Sequence, residues 1–155
     1  VRVFDEKASA RGAIPPFEVI DAKDVVTLHD NFTTFRWTNG SPNETNDATR
    51  TAVYALGKTP SFVLRRKVDT ARFHLVVYAG LFRAEGRLRA TMVAPDGASA
   101  TAEANLRNDE KNAYGRFEVA STGAPLGASL EVRWEQLSGV DADSNITLAA
   151  ATLAP

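Results

Sequence analysis

Apolar and polar residues change places at every second position along almost the whole of this chain. A period of two belongs to the β-strand, whose successive side chains leave on opposite faces. Short runs rich in β-branched and aromatic residues repeat it: FTTFRW (32–37), TAVYAL (51–56), SFVLRRKV (61–68), RFHLVVYAG (72–80) and GRLRATMVA (86–94). YGRFEVAS (114–121), SLEVRWEQL (129–137) and NITLAAATL (145–153) continue the series. Turn residues punctuate it at Thr59-Pro60, Asp69-Thr70, Pro95-Asp96-Gly97, Gly123, Gly127 and 141–144. No window long enough for a helix carries a helical period. Short alternating strands so spaced predict an all-β fold, a single antiparallel β-sandwich of jelly-roll or Ig-like type with about eight to ten strands. The domain should span 1–155, with 1–16 as an extended lead-in through AIPPFEVI to a first strand near 17–20. There is no internal repeat and no interdomain linker.

Alternation also assigns faces. In 129–137, Leu130, Val132, Trp134 and Gln136 share one side and Glu131, Arg133 and Glu135 the other, a strand with one wet face. Phe117 and Val119 oppose Arg116 and Glu118 in the same way. The stretch from Phe73 to Tyr78 is apolar on both sides except at His74, which suits a central strand. The core expected on these grounds is Phe62, Leu64, Leu75, Val77, Leu88, Met92, Phe117, Val119, Leu130, Val132, Trp134, Ile146 and Leu148. For ATAEANLRNDEKNA (100–113), whose composition also favours helix, a strand followed by a polar loop is expected.

The totals remove several functions. A net charge of −1 argues against general nucleic-acid binding, which needs a positive field. No apolar stretch is long enough for a transmembrane helix, so no membrane insertion is expected. The absence of cysteine removes disulfides, thiolate catalysis and Cys-based zinc sites. Neither His29 nor His74 sits in a nucleophile motif such as G-x-S-x-G, so no enzyme is expected. A start at Val1, without Met, is what an excised module or a processed secreted protein would have.

Four segments carry a likeness: F-x-W-T-N-G-S-P, T-R-T-A-V-Y, R-F-H-L-V-V-Y-A-G-L-F-R-A-E-G-R-L-R-A and N-I-T-L-A-A-A-T-L, together covering about 32–153. They resemble a β-sandwich module that recurs in large secreted or surface bacterial proteins, often beside carbohydrate-active or adhesive domains. Ala52 stands where that pattern has Gly, Phe82 where it tends to have Trp, and 62–67 is unusually basic. The resemblance implies a non-catalytic accessory module, extracellular or periplasmic, within a larger multidomain protein, its partner a polysaccharide or cell-surface glycan. The alternative is a structural or protein-interaction module, such as an adhesin or spacer domain or a periplasmic sensor ectodomain.

Three features compete to be the site. RWTNGSPNETNDATR (36–50) puts Trp37 beside Asn39, Asn43 and Asn46, and a ring next to amides suits a sugar's apolar face and its hydroxyls. Trp37 also shares a face with Phe35, opposite Phe32, Thr34 and Arg36, which allows it to be core and the loop to be a connection. From Lys58 to Arg89 inclusive stand eight basic residues opposed only by Asp69 and Glu85. Arg65 and Lys67 share one strand face, as do Arg87 and Arg89. If those strands adjoin, they form a basic patch with Tyr78 or Phe82 near it, suited to an acidic polysaccharide; a solubilising face is the other reading. Asp141, Asp143 and Asn145 alternate oxygen ligands as calcium loops do, without the sharp-turn Gly or the bidentate Glu. They read as a hairpin turn, with structural calcium as the alternative and no other cofactor expected. Asn31-Phe32-Thr33, Asn43-Glu44-Thr45 and Asn145-Ile146-Thr147 match the glycan-acceptor pattern by chance.

Overall fold

The computed structural model describes residues 6–7 and 14–154. Twelve strands and no helix are present among them: β1 Glu6–Lys7, β2 Glu18–Ile20, β3 Asp24–Leu28, β4 Phe35–Trp37, β5 Gly40–Ser41, β6 Asn46–Thr49, β7 Ala52–Leu56, β8 Ser61–Lys67, β9 Phe73–Val93, β10 Ser99–Ser121, β11 Ser129–Gly139 and β12 Asn145–Ala154. All pairings are antiparallel. Most of the expected 1–16 lead-in lies outside the described residues.

β9 organises the molecule. One of its edges pairs with β10 along its whole length. The other edge is shared end to end: His74–Phe82 pairs with β12, and Ala84–Val93 pairs with β11. The junction is Arg83, which takes a left-handed φ of 50°. Inward positions accordingly change parity, from Leu75, Val77, Ala79 and Leu81 to Ala84, Leu88 and Ala90. The strand therefore serves two half-sheets, β10–β9–β11–β8–β2 and β10–β9–β12–β7–β3. The two runs read from the sequence as separate strands, 72–80 and 86–94, are one bent strand. The parity change at the bend hides their continuity.

The halves pack face to face. Trp134 of β11 is 0% exposed. Its ring lies 5.2 Å from that of Phe117 on β10, and its Nε1–H donates to the Gly80 carbonyl at 3.2 Å. An added Cβ at Gly86 would meet the same indole at 2.6 Å, so only glycine fits beneath it. Phe62, Leu64, Leu75, Val77, Leu88, Leu130, Val132, Ile146 and Leu148 are buried as alternation predicts. Met92, Phe117 and Val119 are half-buried against that core. Each large apolar side chain so buried stabilises the fold by about 1.5–3 kcal/mol relative to exposure.

The stretch 100–113 corrects the expectation of a strand followed by a polar loop. It stays in β10, paired from Ser99 to Ser121 with one irregularity between Asn108 and Asn112. Its inner face is mostly alanine, so the alternation is weak to the eye while the backbone ladder stays intact.

The β11–β12 connection locks the bend. Arg83 O accepts Val140 N–H at 3.0 Å and Ser144 Oγ–H at 2.8 Å. Arg83 Nη1 meets Asp141 Oδ2 at 2.5 Å. Asp141 Oδ1 accepts Asp143 N–H at 3.0 Å, and Asn145 Nδ2 donates to Asp143 O at 2.9 Å. The acids read as oxygen ligands thus cap their own turn and hold the arginine. No cluster of three or more His, Cys, Asp or Glu side chains placed for a metal occurs among the described residues.

Candidate functional site

The two half-sheets present opposite outer faces of very different chemistry. On the β8–β11–β9 side, cross-strand register brings Arg65 beside Glu131, Arg133 beside Arg89, and Glu135 beside Arg87. Arg65 meets Glu18 at 2.7 Å and Glu131 at 2.8 Å, Arg87 meets Glu135 at 2.8 Å, and Arg89 meets Glu103 at 2.7 Å. Lys67 donates to Ser129 Oγ at 2.8 Å. The four basic residues singled out from the sequence therefore do share one face, but the carboxylates of β2, β10 and β11 lie between them. The guanidinium protons are held more tightly than usual on Arg65, chiefly by its hydrogen bond to Glu131, and on Arg87, chiefly by that to Glu135. This face is an ion-pair lattice in which Arg65, Arg87 and Arg89 each meet a carboxylate, not a field of free cations.

The opposite face is aromatic. Register on β9 and β10 sets Tyr78 against Arg116 and Gly80 against Tyr114, all pointing outward. Gly80 matters here: a Cβ would strike the Tyr114 ring at 2.8 Å, so its absence lets that ring lie across the sheet. The chain between β3 and β4 then crosses this face as a strap. Phe32 stacks on Tyr114, ring centroids 5.5 Å apart and planes 21° from parallel, and Phe35 meets Tyr78 edge-on at 5.3 Å. Phe32 is 75% exposed even so. Burial, and next the Asp30 charge, push the Tyr114 hydroxyl above its ordinary pKa, with a backbone hydrogen bond from Phe32 opposing them.

The strap is pinned from below by Arg50. Its Nε donates to Asn31 O at 2.8 Å and its Nη2 to Asp30 O at 3.0 Å, while Asn31 N–H donates to Arg50 O at 2.9 Å. Asn31 is 1% exposed. Its Nδ2 donates to Thr33 O at 3.0 Å, whereas its Oδ1 has no hydrogen-bond partner. Between strap and sheet lies a cavity of about 210 Å³, lined by Asn31, Phe32, Thr33, Tyr78, Tyr114 and Arg116, with Ala79, Gly115 and Ala149 completing it. Beyond Arg116 the polar residues run on as an ion pair with Glu118, whose other oxygen meets His74 Nε2 at 2.9 Å.

Of the residues expected at a ligand site, Tyr78 lines this cavity. Trp37 does not: its Nε1 donates to Asn43 O at 3.2 Å, and it packs over Gly40, where a Cβ would meet the indole at 2.6 Å. Asn39 is left-handed at φ 60°, and Asn46 Oδ1 accepts Ala48 N–H at 3.0 Å, so the 37–49 loop is largely knitted to itself. Phe82 lies on the aromatic face beside the Arg83 guanidinium, 6.0 Å from its ring centre. Sequence reasoning missed Asn31, Phe32, Tyr114 and Arg116. Alternation did put Phe32 on the side away from Trp37, but nothing local says that Tyr114 would lie beneath it.

Fold and surface define an antiparallel β-sandwich module with one aromatic, cavity-bearing face. No protein-family model and no curated protein sequence matches the chain. Solved structures of similar shape include the enzymatically active domain of bacteriophage CBA120 tailspike protein 4, at 12% identity and TM-score 0.49, covering 84% of this chain. This chain spans only 19% of that one. TmCBM61, solved with β-1,4-galactotriose, is 11% identical at TM-score 0.47 over 86% of this chain and 90% of its own. A family 16 carbohydrate-binding module is 12% identical at TM-score 0.46 over 68% and 77%. At these identities and scores no ligand, activity or site residue passes from them to this chain.

Proposed function

We propose that the chain is a non-catalytic accessory module of a larger extracellular or periplasmic protein, binding carbohydrate in the cavity under the strap. One observation carries the reading: three aromatic rings, Phe32, Tyr78 and Tyr114, line a hollow whose polar groups include an amide and a guanidinium. Rings cover the apolar face of a pyranose while a few placed polar groups bind its hydroxyls. A neutral glycan suits it better than an acidic one, because Arg116, the arginine that lines the cavity, already has Glu118 as its carboxylate partner. Glycan-array screening followed by affinity electrophoresis tests the reading. Binding to some polysaccharide is expected, weakened in Tyr78→Ala and Phe32→Ala variants that still melt cooperatively. No binding to any glycan at millimolar concentration would end it.

A second reading, a spacer or protein-interaction module, rests on β10. Among the described residues this strand pairs only with β9, leaving a long free edge to which another chain could add.

A further inference from the structure

We infer that the cavity takes one sugar residue at the end of a glycan, not an internal stretch of chain; this rests on the carbohydrate reading above. Size comes first. At about 210 Å³ the cavity is smaller than the roughly 300–1,000 Å³ of sites for drug-sized ligands. It holds about seven waters at ~30 Å³ each, the bulk of a single pyranose with its hydroxyls. Shape agrees with size. A groove for internal binding must be open at both ends, yet the strap crosses the sheet and forms a wall of the hollow. Arg50 fixes that wall through the Asp30 and Asn31 carbonyls, so it is not a loose flap. Ala149, the extra residue that breaks the β12 register between Leu148 and Ala150, also lines the hollow.

The polar inventory states what the occupant must offer. Asn31 Oδ1 is a buried acceptor without a partner, in a side chain that is 1% exposed and belongs to the cavity wall. Leaving such an atom unpaired costs on the order of 1–3 kcal/mol, which an incoming hydroxyl donor would recover. Arg116, shared with Glu118, is a donor at the same cavity. A hydroxyl both donates and accepts, so a pyranose with neighbouring free hydroxyls answers both groups at once. Phe32, exposed at the mouth, offers its ring to the sugar's apolar face. The ligand class is thus a neutral terminal hexose or pentose.

Calorimetric titration of the full chain with methyl glycosides and the matching di-, tri- and tetrasaccharides tests this. Dissociation constants should agree within about threefold across chain length, a spread well under 1 kcal/mol. Phe32→Ala and Arg116→Met should weaken binding about tenfold and by the same factor at every length. Asn31→Ala should do likewise, with its melting curve recorded because the same side chain ties Thr33. Phe32→Ala removes an exposed ring, so its outcome does not depend on folding. Affinity that climbs about tenfold or more from mono- to tetrasaccharide overturns terminal recognition while leaving the proposed function standing. Absence of binding by every saccharide overturns both.

Discussion

The two outer faces are built on strands that share β9 and β10, yet they solve the polar problem in opposite ways. Over the β8–β11–β9 half, Arg65, Arg87 and Arg89 are each matched by a carboxylate on a neighbouring strand, and Arg133 shares Glu131 on its own strand. Over the β9–β12–β7 half, the strap leaves an exposed ring and an unpartnered amide oxygen around a hollow. A surface whose groups are all paired gains nothing from a ligand. One that keeps an acceptor waiting does, which is why the proposed recognition falls on the aromatic side despite the greater density of arginine on the other.

The severest test asks whether the faces share one core. Trp134→Ala should cost about 3–5 kcal/mol in denaturant unfolding, and glycan binding should disappear in the same transition, since Trp134 touches both halves. Binding that survives beyond that transition would separate the faces. Next in size is affinity: Phe32→Ala should lose about tenfold, or 1.4 kcal/mol, while Arg89→Ala stays within about twofold on the same calorimeter. An equal loss in both would make the ion-pair face a binding surface after all, as would affinity that falls steeply between about 0.01 and 0.15 M salt. Smaller again is the lattice itself. Arg87→Met should lower stability only slightly in denaturant unfolding, an effect that shrinks as salt is added.

The smallest effect is in pH. Burial pushes the Glu131 carboxyl up, but hydrogen bonds from Arg65 and Arg133 pull it down further, so it titrates below its ordinary 4.5. A carboxyl lowered in the folded state contributes stability that is complete above its unfolded value and is lost as pH falls through the folded one. Glu131→Gln should therefore flatten the stability profile below 4.5 and leave it unchanged near neutrality. The change should be a few tenths of a kcal/mol at most, as for other exposed pairs. A stronger acid dependence in the variant would reverse the assignment.

The contrast between the faces was only half legible in the sequence. Alternation in SLEVRWEQL and GRLRATMVA was enough to place Trp134 and Leu88 inside and Arg87, Arg89 and Arg133 outside, because the period is local. What escaped was long-range. That Glu131 and Glu135 stand between Arg65 and the β9 arginines follows from β11 lying between β8 and β9, which no single strand reveals. The candidate cavity escaped for the same reason. Phe32 and Tyr114 are far apart in sequence, and Asn31 looked like part of a chance Asn-x-Thr triplet until Arg50 was seen to bury it. The polar 37–49 loop attracted attention by composition, yet Asn46 and the Asn43 carbonyl spend their hydrogen bonds inside it.

The bend at Arg83 has a bearing on the order in which the chain assembles. β9 and β10 are joined by a tight turn closed by Ala94 and Ala98, so this long hairpin is made of near-neighbour contacts and can zip from 94–98 outward within about microseconds. Its remaining edge is a template, half of it waiting for β11 and half for β12. The 140–144 turn, hydrogen-bonded to the Arg83 carbonyl, joins the two, while β8 pairs with β11 and β7 with β12. Collapse onto the template should thus be the slow, topology-limited phase, and a Gly at position 83 or an Ala at 141 should delay it more than it delays closure of the hairpin.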